Sequence, residues 1–174
     1  MTYRVIEVVD YNPNWKDVFE SEKVLLSGVL GFNAIKIEHI GSTSVVGLAA
    51  KPIIDILIEV KNLSNVDSLN ENFEAIGYIV KGENGISRRR YFQKGGVQRS
   101  HHVHVFQTHN EDLLRHRAFK EYLIAHPIVA FEYGEIKKEA FLKSNNDINI
   151  YMSLKNNFIK KHERIALEWL KDKQ

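Results

Sequence analysis

Three groups of residues have the types and spacing that chemistry needs. Gly41, Ser42, Thr43 and Ser44 form a glycine followed by three small hydroxyls. Such a turn can offer backbone N–H groups and hydroxyls to phosphate oxygens. A plain Ser/Thr turn has the same composition, and no G-x-x-x-x-G-K-[ST] signature is present. Asp55 is the second. It interrupts the apolar run "IIDILIEV" over 53–60, and strand alternation puts Asp55, Leu57 and Glu59 on one face, with Ile54, Ile56 and Ile58 on the other. A carboxylate among isoleucines is costly unless it is hydrogen-bonded to a turn or an arginine, binds a metal, or serves as a general base. The third is "HHVHV". On a strand, His102 and His104 share one face, where two imidazoles and Asp55 could hold one cation and leave a position open for water or phosphate. Two histidines hydrogen-bonded within a sheet would look the same.

Cations complete the inventory. Arg88, Arg89 and Arg90 precede Tyr91 and Phe92, and alternation separates Arg88 and Arg90 from Arg89 and Tyr91. Lys51 precedes the Asp55 segment. Lys137 and Lys155 each lie one helical turn after a tyrosine, Tyr133 and Tyr151, so they could point into a cleft or simply be solvated. His39, His116, His126 and His162 read as surface or packing residues.

The elements that must position these groups follow from periodicity. "YRVIEVV" reads as a short strand. Asn14 is placed to cap a helix through Trp15, Val18, Phe19, Glu22, Leu25, Leu26 and Val29, which Gly31 ends. "AIKIEHI" reads as a strand with Ile35, Ile37 and His39 on one face. "KPIIDILIEV" is the strongest strand signal, as expected for a strand covered on both faces. "SNVDSLNENFEAIG" is an amphipathic helix, and "YIVKG" a strand. Residues 81–107 read as antiparallel hairpins around two polar turns. After Asn110, three helical segments follow, the last with an apolar stripe of Tyr151, Leu154, Phe158, Ile165 and Trp169. The expected class is α+β: a mixed sheet with flanking helices and a helical C-terminal third. The 174 residues make one domain, with a sheet core over about 1–109 and a helical part over about 110–174.

Composition narrows the class. A formal net charge of +2 with dispersed Lys and Arg does not point to a dedicated nucleic-acid binder. Without cysteine there is neither a disulfide framework nor a thiolate site. The N-terminus has no secretory pattern and no run approaches the roughly 18 to 20 apolar residues of a membrane span, so a cytoplasmic location and no membrane partner are expected.

The ordered motifs "HIGSTSVVGLAAKPIIDILIEV", "HHVHVF", "HRAFKEYLIAHP", "EYGEIKKE" and "YMSLKNNFI" resemble the GrpB-type family, a branch of the nucleotidyltransferase, polymerase-β-like superfamily. The resemblance runs from about Val8 to Ile159. It implies a nucleotidyltransferase-like sheet in which a Gly-Ser loop holds a triphosphate and two carboxylates hold divalent metal. Gly41 and Ser42 match the loop, with Thr43 and Ser44 as further phosphate donors, and Asp55 matches the first carboxylate. The second carboxylate's position is Leu57, a departure from the superfamily's pattern. The third falls where His102 and His104 lie, which points to a single cation, Mg²⁺, Mn²⁺ or Zn²⁺, between Asp55 and the histidines. Lys51, Arg90, Lys137 and Lys155 are the expected phosphate-neutralising cations. The family's fusion to dephospho-CoA kinase in some members implies a nucleotide or coenzyme-like ligand, with the acceptor open and nucleic acid weakly supported. The expected function is metal-dependent nucleotidyl transfer from an NTP. The alternatives are a metal-dependent phosphoester or anhydride hydrolase, favoured by the histidine-rich set, and a non-catalytic nucleotide or coenzyme binder, favoured by Leu57.

Overall fold

The computed structural model describes residues 6–173. Helix α1 (Trp15–Leu30) buries Trp15, Phe19, Glu22, Leu26 and Leu30 and ends at Gly31, whose φ of 56° suits a residue without Cβ. Strand β1 (Ala34–Ile40) follows, then a loop with one tight turn at Ser42–Ser44, and β2 (Ile54–Val60). Two short helices, α2 (Leu63–Asp67) and α3 (Asn70–Ala75), lead to β3 (Ile79–Val80), β4 (Arg89–Lys94) and β5 (His101–Gln107). Three longer helices close the chain: α4 (Glu111–Ala125), α5 (Pro127–Ser144) and α6 (Ile148–Asp172). Pro127, which cannot continue a helix from behind, opens α5, and Asn145 and Asn146, both at positive φ, turn the chain into α6. Asn110 and Asp147 accept backbone N–H groups at the starts of α4 and α6.

The sheet order is β1-β2-β5-β4-β3. Only β2 and β5 run parallel; the other pairs are antiparallel, so the sheet is mixed and the class is α+β. Ile54, Ile56, Ile58, Val60, Val103, Val105 and Phe92 pack under α1 and α3 on one face. The helical third covers the other, where Arg117 of α4 bridges Glu38 of β1 and Glu59 of β2 at 2.7 and 2.8 Å. No helix among the described residues is long and apolar enough to cross a membrane.

Several local expectations change. The N-terminal strand falls partly on residues 1–5, outside the described region, and the rest contributes only a bridge between Val9 and Ala50. Asn14 does not cap α1 with its side chain; its backbone is helical and its N–H is accepted by Asn12. The helix read over 64–77 is two, broken at Ser68 and Leu69. Ile35 is exposed because the β1–β2 register shifts between Ala34 and Lys36. Leu154 is also exposed, and the buried stripe of α6 is Tyr151, Lys155, His162 and Ala166.

Candidate active site

Parallel pairing of β2 with β5 sets Asp55 opposite His102 and Leu57 opposite His104. With a side-chain period of two, Asp55, His102 and His104 therefore share the face under the helical third. His102 Nδ1 and His104 Nε2 lie 3.5 and 3.4 Å from the same oxygen, Asp55 Oδ1. Burial raises the Asp55 pKa, but hydrogen bonds from both imidazoles outweigh it. The carboxyl is held far below the usual carboxylate range. Leu57, two residues after Asp55, is fully buried against Ile40, Phe106 and Leu113, so a piece of core fills that position.

Arg89 decides what His104 can do. Its Nη1 lies 3.2 Å from His104 Nδ1, and its other N–H groups go to the carbonyls of Glu83 and Asn84. A guanidinium has only donors, so Nδ1 must accept and the ring proton sits on Nε2, directed at Asp55. The separations of 3.4 and 3.5 Å resemble the ~3.3 Å between two ligands of a tetrahedral ion with bonds of about 2.0–2.1 Å. The proton on His104 Nε2 conflicts with ligation there. Among the described residues, Asp55 is also the sole carboxylate lining the surrounding cleft, and no group of three His, Asp or Glu is spaced to hold a metal ion. Two carboxylate-bridged cations therefore do not fit. Asp55 and, alongside it, His102 are the residues that could hold a single cation.

The loop passes directly over the acid. Gly41 has φ of 73°, and a Cβ added there would lie 2.8 Å from Asp55 Oδ2. Gly41→Ala combines backbone strain with a push on the acid. We expect a loss of about 1–3 kcal/mol in urea melts together with impaired ligand binding; an unperturbed Gly41→Ala variant would contradict this geometry.

The three hydroxyls have different partners. Ser42 lines the cleft and is hydrogen-bonded to the hydroxyl of Tyr133. Thr43 is buried; its Oγ1 donates to the Ile53 carbonyl at 3.2 Å and accepts from His39 Nε2 at 2.9 Å. Ser44 donates to the Gly41 carbonyl at 2.6 Å and does not line the cleft. Thus Thr43 and Ser44 are bonded within the loop, whereas Ser42 faces the cleft beside Tyr133. His39, read as packing, packs on Phe19 and also anchors the loop through Thr43.

The lysines converge. Lys51 and Lys155 lie over the ring of Tyr151, at 5.0 and 4.8 Å, and Lys137 lies over Tyr133 at 4.3 Å. Lys51 and Lys155 line a cleft of about 390 Å³ with Ser42, Asp55, Tyr91, Phe119, Tyr133, Met152 and His102. Lys137 is 2% exposed, and its Nζ has no hydrogen-bond partner among the described residues. Burial, then the charges of Lys155 and Lys51, push its pKa well below the ordinary lysine value, while Asp55 opposes the shift. Three lysine side chains around one carboxylate suit a polyanion.

Arg90 is not among them. It projects from the opposite face of the sheet and pairs with Asp67 of α2 at 2.6 and 3.2 Å. Arg89, its neighbour, is the arginine that reaches the site. The alternation separating Arg89 and Tyr91 from Arg90 is visible in the chain, but the strand pairing that places them beside His104 is not. Tyr133, Phe119 and Arg99 also line or shape the cleft without any sequence signal that selects them.

The profile of a family described as GrpB protein matches residues 5–164. UPF0157 protein YqkA of Bacillus subtilis is 46% identical over 97% of this chain and 49% of its own, so the chain spans about half the length of that relative. Glutamate-rich protein GrpB of Alkalihalophilus pseudofirmus is 34% identical over 87% of this chain and 90% of its own. The crystal structure of conserved protein GrpB from Enterococcus faecalis superposes with a TM-score of 0.92 at 47% identity, covering 94% of this chain and 99% of that one.

Proposed function

We propose, from the premise that the chain belongs to the GrpB family, that the cleft binds a nucleoside triphosphate and transfers its nucleotidyl group to an acceptor hydroxyl. One observation carries this reading: a lone, ionised carboxylate sits beneath a glycine loop and faces three converging lysines. Ser42, Lys51 and Lys155 meet phosphate oxygens, and Lys137 lies behind Tyr133, where a bound phosphate favours its charged form. Asp55 is too weak a base to take a proton at neutral pH, so its role is to hold the cation that such transfer requires. That cation, when bound, neutralises charge at the α-phosphate. The acceptor oxygen forms a bond to the α-phosphorus, the bond to the β-phosphate oxygen breaks, pyrophosphate leaves, and the acceptor proton passes to solvent.

A second reading, nucleotide or coenzyme binding without turnover, is favoured by the burial of Leu57, which leaves the cleft one carboxylate. Hydrolysis loses support because His104 is engaged by Arg89. The test is incubation with α-labelled NTPs and Mg²⁺ or Mn²⁺, with an RNA oligomer and small hydroxyl compounds as acceptors. The expected result is label on an acceptor with pyrophosphate released. Binding without pyrophosphate release selects the second reading, orthophosphate release without an acceptor selects hydrolysis, and absence of any nucleotide binding rejects the proposal.

A further inference from the structure

Arg99 differs from the other buried and half-buried arginines. Arg89 is bonded to two carbonyls and His104, Arg90 to Asp67, Arg115 to Asp112 and Glu163, and Arg117 to Glu38 and Glu59. Arg99 has no ion pair among the described residues, and its buried Nε has no hydrogen-bond partner among them. A buried guanidinium N–H without a partner is costly, which makes sense at a position that receives an anion.

The chain is built to hold Arg99 there. Residues 95–100 form the loop between β4 and β5, closed by the Ser100 N–H donating to the Lys94 carbonyl at 2.8 Å. Gly95 has φ of 104°, and a Cβ on it would lie 2.6 Å from the Gln98 carbonyl oxygen and 2.9 Å from the Arg99 Cα. Only glycine allows so tight a loop. Arg99 lines the main cleft and, with Lys51, Ile53, Pro52, Gln98 and Glu7, a small recess of about 20 Å³ beside it. Lys51 is common to both spaces. The recess has room for about one water, so a phosphate held by Arg99 and Lys51 lies in the main cleft, which both residues also line.

We propose that Arg99, with Lys51, grips a phosphate beyond the one at Asp55 and so selects nucleoside polyphosphates over monophosphates. This rests on the nucleotide reading above and adds its discriminating residue. The planar fork binds two phosphate oxygens at once, which a lysine cannot reproduce.

The experiment titrates wild type, Arg99→Ala and Arg99→Lys calorimetrically with ATP, GTP, CTP and UTP, their monophosphates, and inorganic tripolyphosphate. Circular dichroism checks each fold. Arg99→Ala is expected to lose about 10- to 100-fold in affinity for the preferred triphosphate while its monophosphate affinity stays within about twofold. Arg99→Lys should recover only part of the loss. An unchanged ratio of triphosphate to monophosphate affinity in Arg99→Ala overturns the role. If wild type binds tripolyphosphate but no nucleotide, the nucleotide reading fails while Arg99 is still judged by tripolyphosphate. If it binds neither, both fall.

Discussion

Asp55→Asn is expected to cut turnover by about 10³-fold or more, equivalent to roughly 4 kcal/mol, while nucleotide binding without divalent cation stays the same or tightens. The two halves of this result have one cause. The amide keeps the shape of the carboxylate but removes the charge that attracts a cation, and it also removes the negative charge that repels phosphate in a lysine-lined cleft. Calorimetry with and without Mg²⁺ separates them, because the cation should strengthen nucleotide binding in wild type and lose that effect in the variant. Equal turnover in both proteins would remove Asp55 from the reaction.

The same substitution has a pH signature in stability. The folded Asp55 pKa lies below its ordinary value near 3.8, so its ionised form stabilises the native state above that value, and the contribution is lost only as pH falls further toward the folded pKa. Asp55→Asn should therefore melt at a lower temperature than wild type at pH 7, and the gap should narrow only below about pH 4.

Lys137→Met is expected to move stability and binding in opposite directions. The Lys137 amine is buried without a hydrogen-bond partner among the described residues and lies within reach of two other lysine charges that disfavour its proton, so an apolar side chain of similar length relieves the cost. A gain of about 1–3 kcal/mol in urea melts at pH 7 is expected, with affinity for a phosphate-bearing ligand reduced about 10- to 100-fold. The folded Lys137 pKa is lowered, so between that pKa and the unfolded value the unfolded chain binds a proton that the native protein lacks. Wild-type stability consequently rises with pH across that window, and the advantage of the variant should shrink from pH 7 towards pH 10. A variant that is less stable than wild type at every pH would mean that the ammonium is already compensated in the free protein.

Much of this architecture was legible in residue order because its periodicities are local. A run of isoleucines interrupted by one aspartate specifies a buried strand and the face the aspartate takes. Pro127 and the asparagines at 145 and 146 punctuate the helices wherever those helices pack. The alternation within "HHVHV" also placed His102 and His104 on one side, since side-chain direction along a strand needs no knowledge of neighbours.

What tertiary structure decided was adjacency, and with it the chemistry. Nothing local states that β5 lies parallel beside β2, and this pairing alone brings His102 within 3.5 Å of Asp55. The choice of Arg89 over Arg90 required the location of α2, whose Asp67 captures the second arginine on the far face. The proton on His104 depends on a guanidinium fifteen residues earlier, and the lysine cluster on how α5 and α6 meet the loop before β2. Local pattern sets which way each side chain points. Only long-range packing determines which charges share one low-dielectric cleft, because that energy depends on distance and burial rather than on order along the chain.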